Sequence, residues 1–325
     1  MDLAPVKRLK PFAVVLGLGL YALILKKAGL HDCLDLLAKV QWGWLALSFV
    51  FIVPEVAFKA LRFQVLVRRL GAQISLKDAS DVYLSGQPLS TLTPSKLGDI
   101  VRVLGLSRWG KLPLTAAFSV HVADKVYDLL ALGLLGCVGV LDLFTMTARQ
   151  DTAAAILSGI LLGVLLMGLF LHPGWMRSIV KPVLMSLAPK KLAAQLSTHG
   201  GAFYEKLQEL FNPAQRVAMP FLLSILAWAI VILRGYFCVL SLGLPIPFGP
   251  FALLLPVVVV IEFIPISVLG FGLREWALIL FFSEYASNSS LVSLGLLFLL
   301  TGPIAAALVG VPAALRLGDT LPKKT

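Results

Sequence analysis

Long apolar runs separated by short polar stretches set the pattern of this chain. Val217 to Leu242 and Leu291 to Val311 are among the runs that reach the roughly 20 residues an α-helix needs to cross about 30 Å of hydrocarbon. Strands of a membrane barrel would alternate polar and apolar positions, so these runs call for helices. Full crossings are expected at about 11–29, 42–58, 112–140, 153–171, 217–242 and 291–312. Two segments break the pattern. Residues 79–111 are too polar to cross and are interrupted by Pro88, Pro94 and Gly98. Residues 250–283 are apolar but carry Glu262, Pro265, Gly270, Gly272, Arg274 and Glu275. Each is read as a re-entrant hairpin. The expected fold is therefore an all-α polytopic integral membrane protein, with about six transmembrane helices plus two re-entrant hairpins arranged as an inverted repeat.

That pattern organises the chain as a single membrane domain over residues 1–325. Residues 1–140 form the first repeat, with its hairpin at 79–111. Residues 141–216 hold the fourth crossing and a basic cytoplasmic loop. Residues 217–325 complete the second repeat, with its hairpin at 250–283. Gly- and Pro-broken segments in corresponding positions of two halves are the sequence mark of a transporter's midplane binding site.

Composition agrees with the pattern. The 325 residues are 58% hydrophobic and only 14% charged, with a mean hydropathy of +0.91, which excludes an ordinary water-soluble globule. The formal net charge is +11, but Lys and Arg are scattered between apolar runs instead of forming one basic domain, so no nucleic-acid partner is expected. The charge sets orientation instead. Five Lys and Arg residues fall in Lys59 to Lys77 and six in Arg177 to Arg216, against one in Asp142 to Thr152 and none in Gly243 to Gly249. The positive-inside rule then puts both termini in the cytoplasm of a multi-pass protein of the cell inner (cytoplasmic) membrane. On this count a single crossing by 250–283 would carry Arg316, Lys323 and Lys324 to the outside, which is why the hairpin reading is preferred. Lys7, Arg8 and Lys10 ahead of an apolar run read as a retained signal anchor. Cys33, Cys137 and Cys238 show neither a disulfide framework nor a metal spacing, and no cofactor is expected.

Candidate chemistry concentrates in three places. In the first hairpin, Thr93-Pro94-Ser95-Lys96 reads as a helix start with Thr93 as N-cap and Pro94 at the first helical position. The unpaired N–H groups of such a half-helix, with Lys96 and Arg102, would attract an anion near Asp99. In the second hairpin, Arg274 and Glu275 follow Gly270-Phe271-Gly272 between apolar stretches; Glu262 is placed to pair with Arg274, or Glu275 with a residue of the first hairpin. Between them His121, Asp124, Lys125 and Asp128 share one helical face. That face belongs in the interior, with Lys125 paired to Asp128 or Asp124, as either a proton relay through His121 or a structural ion-pair cluster. Arg234 is a further intramembrane cation, whereas Arg62, Arg68 and Arg69 read as an interfacial extension touching anionic lipid. Substrate-binding roles thus fall to Lys96, Arg102 and Arg274. Gating or coupling roles fall to Asp99, His121, Asp124, Lys125, Asp128, Glu262 and Glu275. Phosphate-loop, zinc-protease and nucleophile-elbow motifs are missing from the sequence.

Three stretches carry a family resemblance. They are Thr93 to Arg102, Asp124-Lys125-Val126-Tyr127-Asp128, and Pro265 through Gly270-Phe271-Gly272-Leu273-Arg274-Glu275. They resemble the flippase-like family, the membrane domain of lysylphosphatidylglycerol synthases and of related stand-alone membrane proteins. The first motif of that family often has a Gly-Gly-Asp/Glu core where this chain has Leu97-Gly98-Asp99, and Arg is commoner than Lys at position 125. The resemblance implies translocation of an anionic phospholipid or a polyprenyl-phosphate-linked lipid, with membrane lipids as partners. It argues against lysyl transfer, because no cytosolic transferase domain is recognised. Stand-alone relatives often accompany glycosyltransferases, so a glycosyltransferase or lipid-modifying enzyme is the expected protein partner. An intramembrane lipid-linked transferase using Asp99, Asp124 or Asp128, and a non-catalytic scaffold for a glycosyltransferase or synthase, are the alternative readings.

Overall fold

The computed structural model describes residues 29–93, 98–144, 190–262, 270 and 272–319, with the isolated positions 26 and 157. The described chain is helical, with no strand among these residues. Three of its helices are long and apolar enough to cross a membrane by length and composition: Trp42–Arg69, Gln215–Ser241 and Asn288–Asp319. They coincide with three of the expected crossings. The expected crossings at 11–29 and 153–171 lie outside the described residues apart from single positions.

The first half opens with α1 (Leu30–Ala38), α2 (Trp42–Val50) and α3 (Ile52–Arg69). Between α2 and α3 only Phe51 leaves the regular helix, and its amide still donates to Leu47 O (3.0 Å). Pro54 falls in the first turn of α3, where a missing N–H costs no helix bond. This near-continuous helix runs eleven residues beyond the expected end at Phe58, so Lys59 and Arg62 are not loop residues. Both are buried on α3, which removes them from the loop charge that sets orientation; Arg68, Arg69 and Lys77 remain.

The first broken segment follows. It consists of α4 (Leu76–Ser85), α5 (Gln87–Leu92) and α6 (Val101–Trp109). Ser75 caps α4 by accepting from the Asp78 amide (3.0 Å). Thr93 ends α5 in an extended conformation, and its hydroxyl accepts from Gly98 N (2.8 Å) while donating to Leu89 O (2.8 Å). The expected N-cap role of Thr93 at Pro94 and Lys96 concerns positions outside the described residues, but the hydroxyl does tie the two sides of the break together. Gly98 lies so close to α5 that a Cβ there would overlap the Leu89 and Ser90 backbone. Backbone cannot swing aside as a side chain can, so Gly98→Ala should cost about 2 kcal/mol or more. A fall of several degrees in apparent Tm in detergent would show it; an unchanged Tm would mean the two backbones are not in this contact.

Next come α7 (Leu114–Phe144), α8 (Lys190–Phe211), α9 (Ala218–Ser241), α10 (Phe248–Glu262), α11 (Leu273–Phe282), α12 (Asn288–Leu299) and α13 (Ala305–Asp319). At 1.5 Å per residue α7 is about 46 Å long, enough to cross, despite the charged stripe it carries. A π-turn over Leu300–Ile304 joins α12 to α13 around Pro303, which has no amide to donate. The second broken segment is α10, then a turn where Gly270 and Gly272 take φ of 76° and 82°, then α11. Positive φ is strained for a residue with a Cβ, so the backbone entering α11 selects glycine at these positions.

Helix α7 is the hub. Helices α3, α6, α8, α9 and α10 all pack against it, while α9 also lines α2 and α3, and α13 covers α4 and α5. Two apolar cores result. One gathers Phe251, Val257, Phe281 and Phe282 among α9 to α12; the other gathers Phe63, Leu66, Leu106, Val120 and Leu207 among α3, α6, α7 and α8. Outside lie exposed Trp42, Val53, Leu134, Leu141, Leu308 and Leu315. Inside lie buried Arg62, Arg102, Asp124, Arg274 and Glu275. Large apolar side chains outside and charges inside is the distribution that hydrocarbon, and not water, favours.

Candidate functional site

Glu55, Lys59 and Arg62 recur at offsets of 4 and 7 on α3 and so share one face, buried against α7 and α9. In hydrocarbon an isolated charge is costly, so each must find a partner. Lys59 Nζ donates to Glu55 Oε1 (2.8 Å) and to the Tyr83 hydroxyl (3.0 Å). Arg62 donates from Nε to Asp124 Oδ1 (2.8 Å) and from Nη1 to Asp128 Oδ1 (2.7 Å) and Ser224 Oγ (2.6 Å). Arg234 on α9 lies 3.5 Å from Glu55 Oε2 and donates to Thr301 O (2.8 Å) at the π-turn.

Tyr83 on α4 extends this set into the first broken segment. Lys59 Nζ lies 5.0 Å from its ring centre, and the Arg102 guanidinium stacks 4.4 Å from the same centre. Arg102 Nε also donates to Tyr83 O (3.1 Å), and its Nη2 lies 3.1 Å from Asp99 Oδ1. Asp99 in turn accepts from Ser90 Oγ and from Lys125 Nζ in short contacts. The result is one connected chain of charge, running from Arg234 through Glu55, Lys59, Tyr83, Arg102 and Asp99 to Lys125, with Arg62 and its two aspartates alongside. Among the described residues its cations are Lys59, Arg62, Arg102, Lys125 and Arg234, and its carboxylates are Glu55, Asp99, Asp124 and Asp128. Cations exceed carboxylates by one.

A second, smaller group surrounds the other broken segment. Arg274 Nε donates to Glu262 in a short contact, and its Nη1 donates to Gly295 O (3.4 Å). Of the two pairings open from sequence, the structure has the one between Glu262 and Arg274. Glu275 is buried and turns back on its own helix start, where its Oε2 accepts from Gly272 N (2.7 Å). That bond satisfies an otherwise orphaned amide at the N-terminus of α11. Glu275→Gln keeps an acceptor in place and should change stability by under about 1 kcal/mol, whereas Glu275→Leu should cost about 1–3 kcal/mol by orphaning that amide. Apparent Tm of the two variants in detergent separates a capping role from a charge role.

The predicted site residues therefore divide. Asp99, Arg102, Asp124, Lys125 and Asp128 join one network, Glu262 and Arg274 form a pair elsewhere, and Lys96 lies outside the described residues. His121 is buried one turn before Asp124 and Lys125, with Nδ1 unpartnered. Two expectations are corrected. Lys125 meets Asp99 across helices, because Arg62 already occupies Asp124 and Asp128. Arg62, expected at the lipid interface, is the largest fully buried side chain among the described residues. Only Arg68 and Arg69 of that trio approach the surface, and Arg69 Nη1 caps α8 at Leu210 O (2.8 Å). Glu55, Lys59 and Tyr83 were missed as members of the site. The signal was present, since Glu55, Lys59 and Arg62 repeat the offsets of the α7 stripe, but treating residues beyond 58 as loop hid it.

The chain is 21% identical to a UPF0104 membrane protein of Pyrococcus horikoshii over 82% of this chain and 84% of that one. It is 22% identical to a UPF0104 membrane protein of Methanothermobacter thermautotrophicus over 90% of this chain and 89% of that one. Residues 11–310 match the family described as the lysylphosphatidylglycerol synthase TM region. With buried charge inside an apolar exterior and a family match spanning both broken segments, this membrane protein belongs to the lysylphosphatidylglycerol synthase TM region family.

Proposed function

We propose that the protein is a lipid flippase or transporter that moves an anionic phospholipid or a polyprenyl-phosphate-linked lipid across the cytoplasmic membrane, and that it does not modify that lipid. The observation that carries this reading is the connected ion network buried among α3, α4, α6, α7 and α9. Ionisable side chains within membrane helices are expensive and persist where they serve a polar substrate or ion path. A purely structural network would be expected to balance its charge, and among the described residues this one has a cation to spare. The head group would be drawn in by Lys96, Arg102 and Arg274. Movement would be gated as Asp99, Glu262, Glu275 and the stripe from His121 to Asp128 exchange partners between two arrangements. In this reading the broken segments at 79–111 and 250–283 are inverted counterparts that enter from opposite sides, and both termini are cytoplasmic.

Reconstitution with fluorescent phospholipids tests the reading. Arg102→Ala removes one guanidinium from the network and leaves the tyrosine ring it stacks on, and should slow transfer between leaflets about tenfold. Loss of one charge-assisted hydrogen bond of about 1.5–3 kcal/mol gives that scale. Transfer by Arg102→Ala and Arg274→Ala equal to that of the unaltered chain would remove both residues from the site. No transfer by the unaltered chain with any anionic or polyprenyl-phosphate lipid would end the transporter reading.

A further inference from the structure

Helices α12 and α13 form one long apolar stretch, yet the fold sends its two halves to different parts of the protein. Helix α12 packs on α1, α9 and α11, beside the second broken segment, whereas α13 packs on α4 and α5 of the first. Three contacts hold α13 along that segment. Near its start, Thr91 Oγ1 on α5 donates to Pro303 O (3.3 Å). In its middle, Gly310 lies so close to α4 that a Cβ there would overlap the Leu84 carbonyl. Near its far end, Arg316 donates from Nη2 to Asp78 Oδ1 (3.0 Å) and from Nη1 to Asp81 in a short contact, both on α4. The same guanidinium lies 5.0 Å from the ring centre of Trp109, the last residue of α6. One side chain thus clasps α13 to both α4 and α6.

We propose that the π-turn at Leu300–Ile304 is a hinge, on which α13 and the first broken segment (α4, α5 and α6) swing as one body against α12. A helix bends where its hydrogen-bond ladder is interrupted, and Pro303 interrupts it inside this turn. The two sides of the turn are gripped by different helices. On the α12 side, Arg234 of α9 donates to Thr301 O (2.8 Å), and Thr301 Oγ1 donates back to Leu297 O (2.8 Å). On the α13 side, the grip is that of Thr91 on Pro303. Gly302 stands between them, where a Cβ would come within 3.2 Å of Arg234 Nη2. The far end of the body is held in another way. Arg316 and its two carboxylates are partly exposed, so that clasp weakens in salt, whereas Arg234 is largely buried and its grip is screened much less. The hinge needs no cargo, and stands or falls apart from the transport reading.

Distances between paired spin labels in the purified full chain test the proposal. Cys33 and Cys238 are buried from the labelling reagent, so Cys137→Ala gives a background for introduced pairs. Gly318→Cys with Lys77→Cys measures within the body, and Gly318→Cys with Asn288→Cys measures across the hinge; all three positions are exposed. One narrow distance population is expected within the body and two across the hinge. Pro303→Ala returns an amide to the ladder and should merge the two populations while leaving the distance within the body unchanged. Thr91→Val keeps the side-chain volume, loosens the α5 grip and should shift the ratio of the two populations about threefold. Arg316→Gln should broaden the distribution within the body. Raising the salt to about 1 M, where the Debye length is about 3 Å, should do the same to the unaltered clasp and nothing further to Arg316→Gln. A single population across the hinge, or one as broad within the body as across it, overturns the proposal. So does a pair of populations that neither Pro303→Ala nor Thr91→Val alters. A distribution within the body that ignores both salt and Arg316→Gln overturns the clasp.

Discussion

Arg62→Ala should destabilise the protein by about 3–5 kcal/mol, enough to lose most of the folded, monodisperse material in detergent. The guanidinium is fully buried and donates to Asp124, Asp128 and Ser224. Removing it strands two carboxylates in a low-dielectric interior, and breaking a buried ion pair from one side is costly for that reason. The remedy follows from the same physics. Adding Asp124→Asn and Asp128→Asn to Arg62→Leu removes the stranded charges along with the cation, and should recover a large part of the loss. Arg68→Ala, at an exposed position on the same helix, should lie within about 0.5 kcal/mol of the parent. Size-exclusion profiles and apparent Tm of the four proteins decide the matter. Arg62→Ala as stable as Arg68→Ala would return Arg62 to the lipid interface.

Asp99→Ala should have the next largest effect, and on both stability and transport. Asp99 is the only carboxylate that the described contacts give to Lys125, and it also holds Arg102 and Ser90. Without it two cations face each other near the break between α5 and α6, and we expect a loss of about 3 kcal/mol. Lys125 is partly exposed, which screens its share and keeps the figure at the lower end of the buried range. A double-mutant cycle with Asp99→Asn and Lys125→Met should show coupling of about 1–3 kcal/mol between the two positions. The double variant removes opposite charges and should be more stable than Asp99→Asn alone. Its lipid transfer should nevertheless stay at least tenfold below the parent if partner exchange at Asp99 gates movement. Full transfer by the stable double variant would reduce the pair to a structural clasp.

Much of this site was legible in the sequence. His121, Asp124, Lys125 and Asp128 at helical offsets in an apolar segment had to face inward, because hydrocarbon admits no other placement, and three of the four lie in the network with His121 beside it. The Pro and Gly positions likewise marked both broken segments, and Gly270 and Gly272 do turn the chain with positive φ. The partners were not legible. Lys125 was expected to meet a carboxylate on its own helix, but Asp99 reaches it from 26 residues away in sequence, and Arg62 crosses 62 residues to Asp124. Helical spacing tells which side chains share a face and says nothing about what is brought opposite that face.

The sequence by itself determined the solvent, the helical class and the inward face of the 121–128 stripe in this membrane protein. Those follow from local rules: run length against hydrocarbon thickness, helical periodicity, and the cost of an unpaired charge. Only the tertiary structure decided the pairing, the burial of Glu55, Lys59 and Arg62, and the excess of one cation among the described residues of the network. Those depend on which helices pack around α7, and the free energy of a buried charge is set by neighbours that the chain brings together from distant positions.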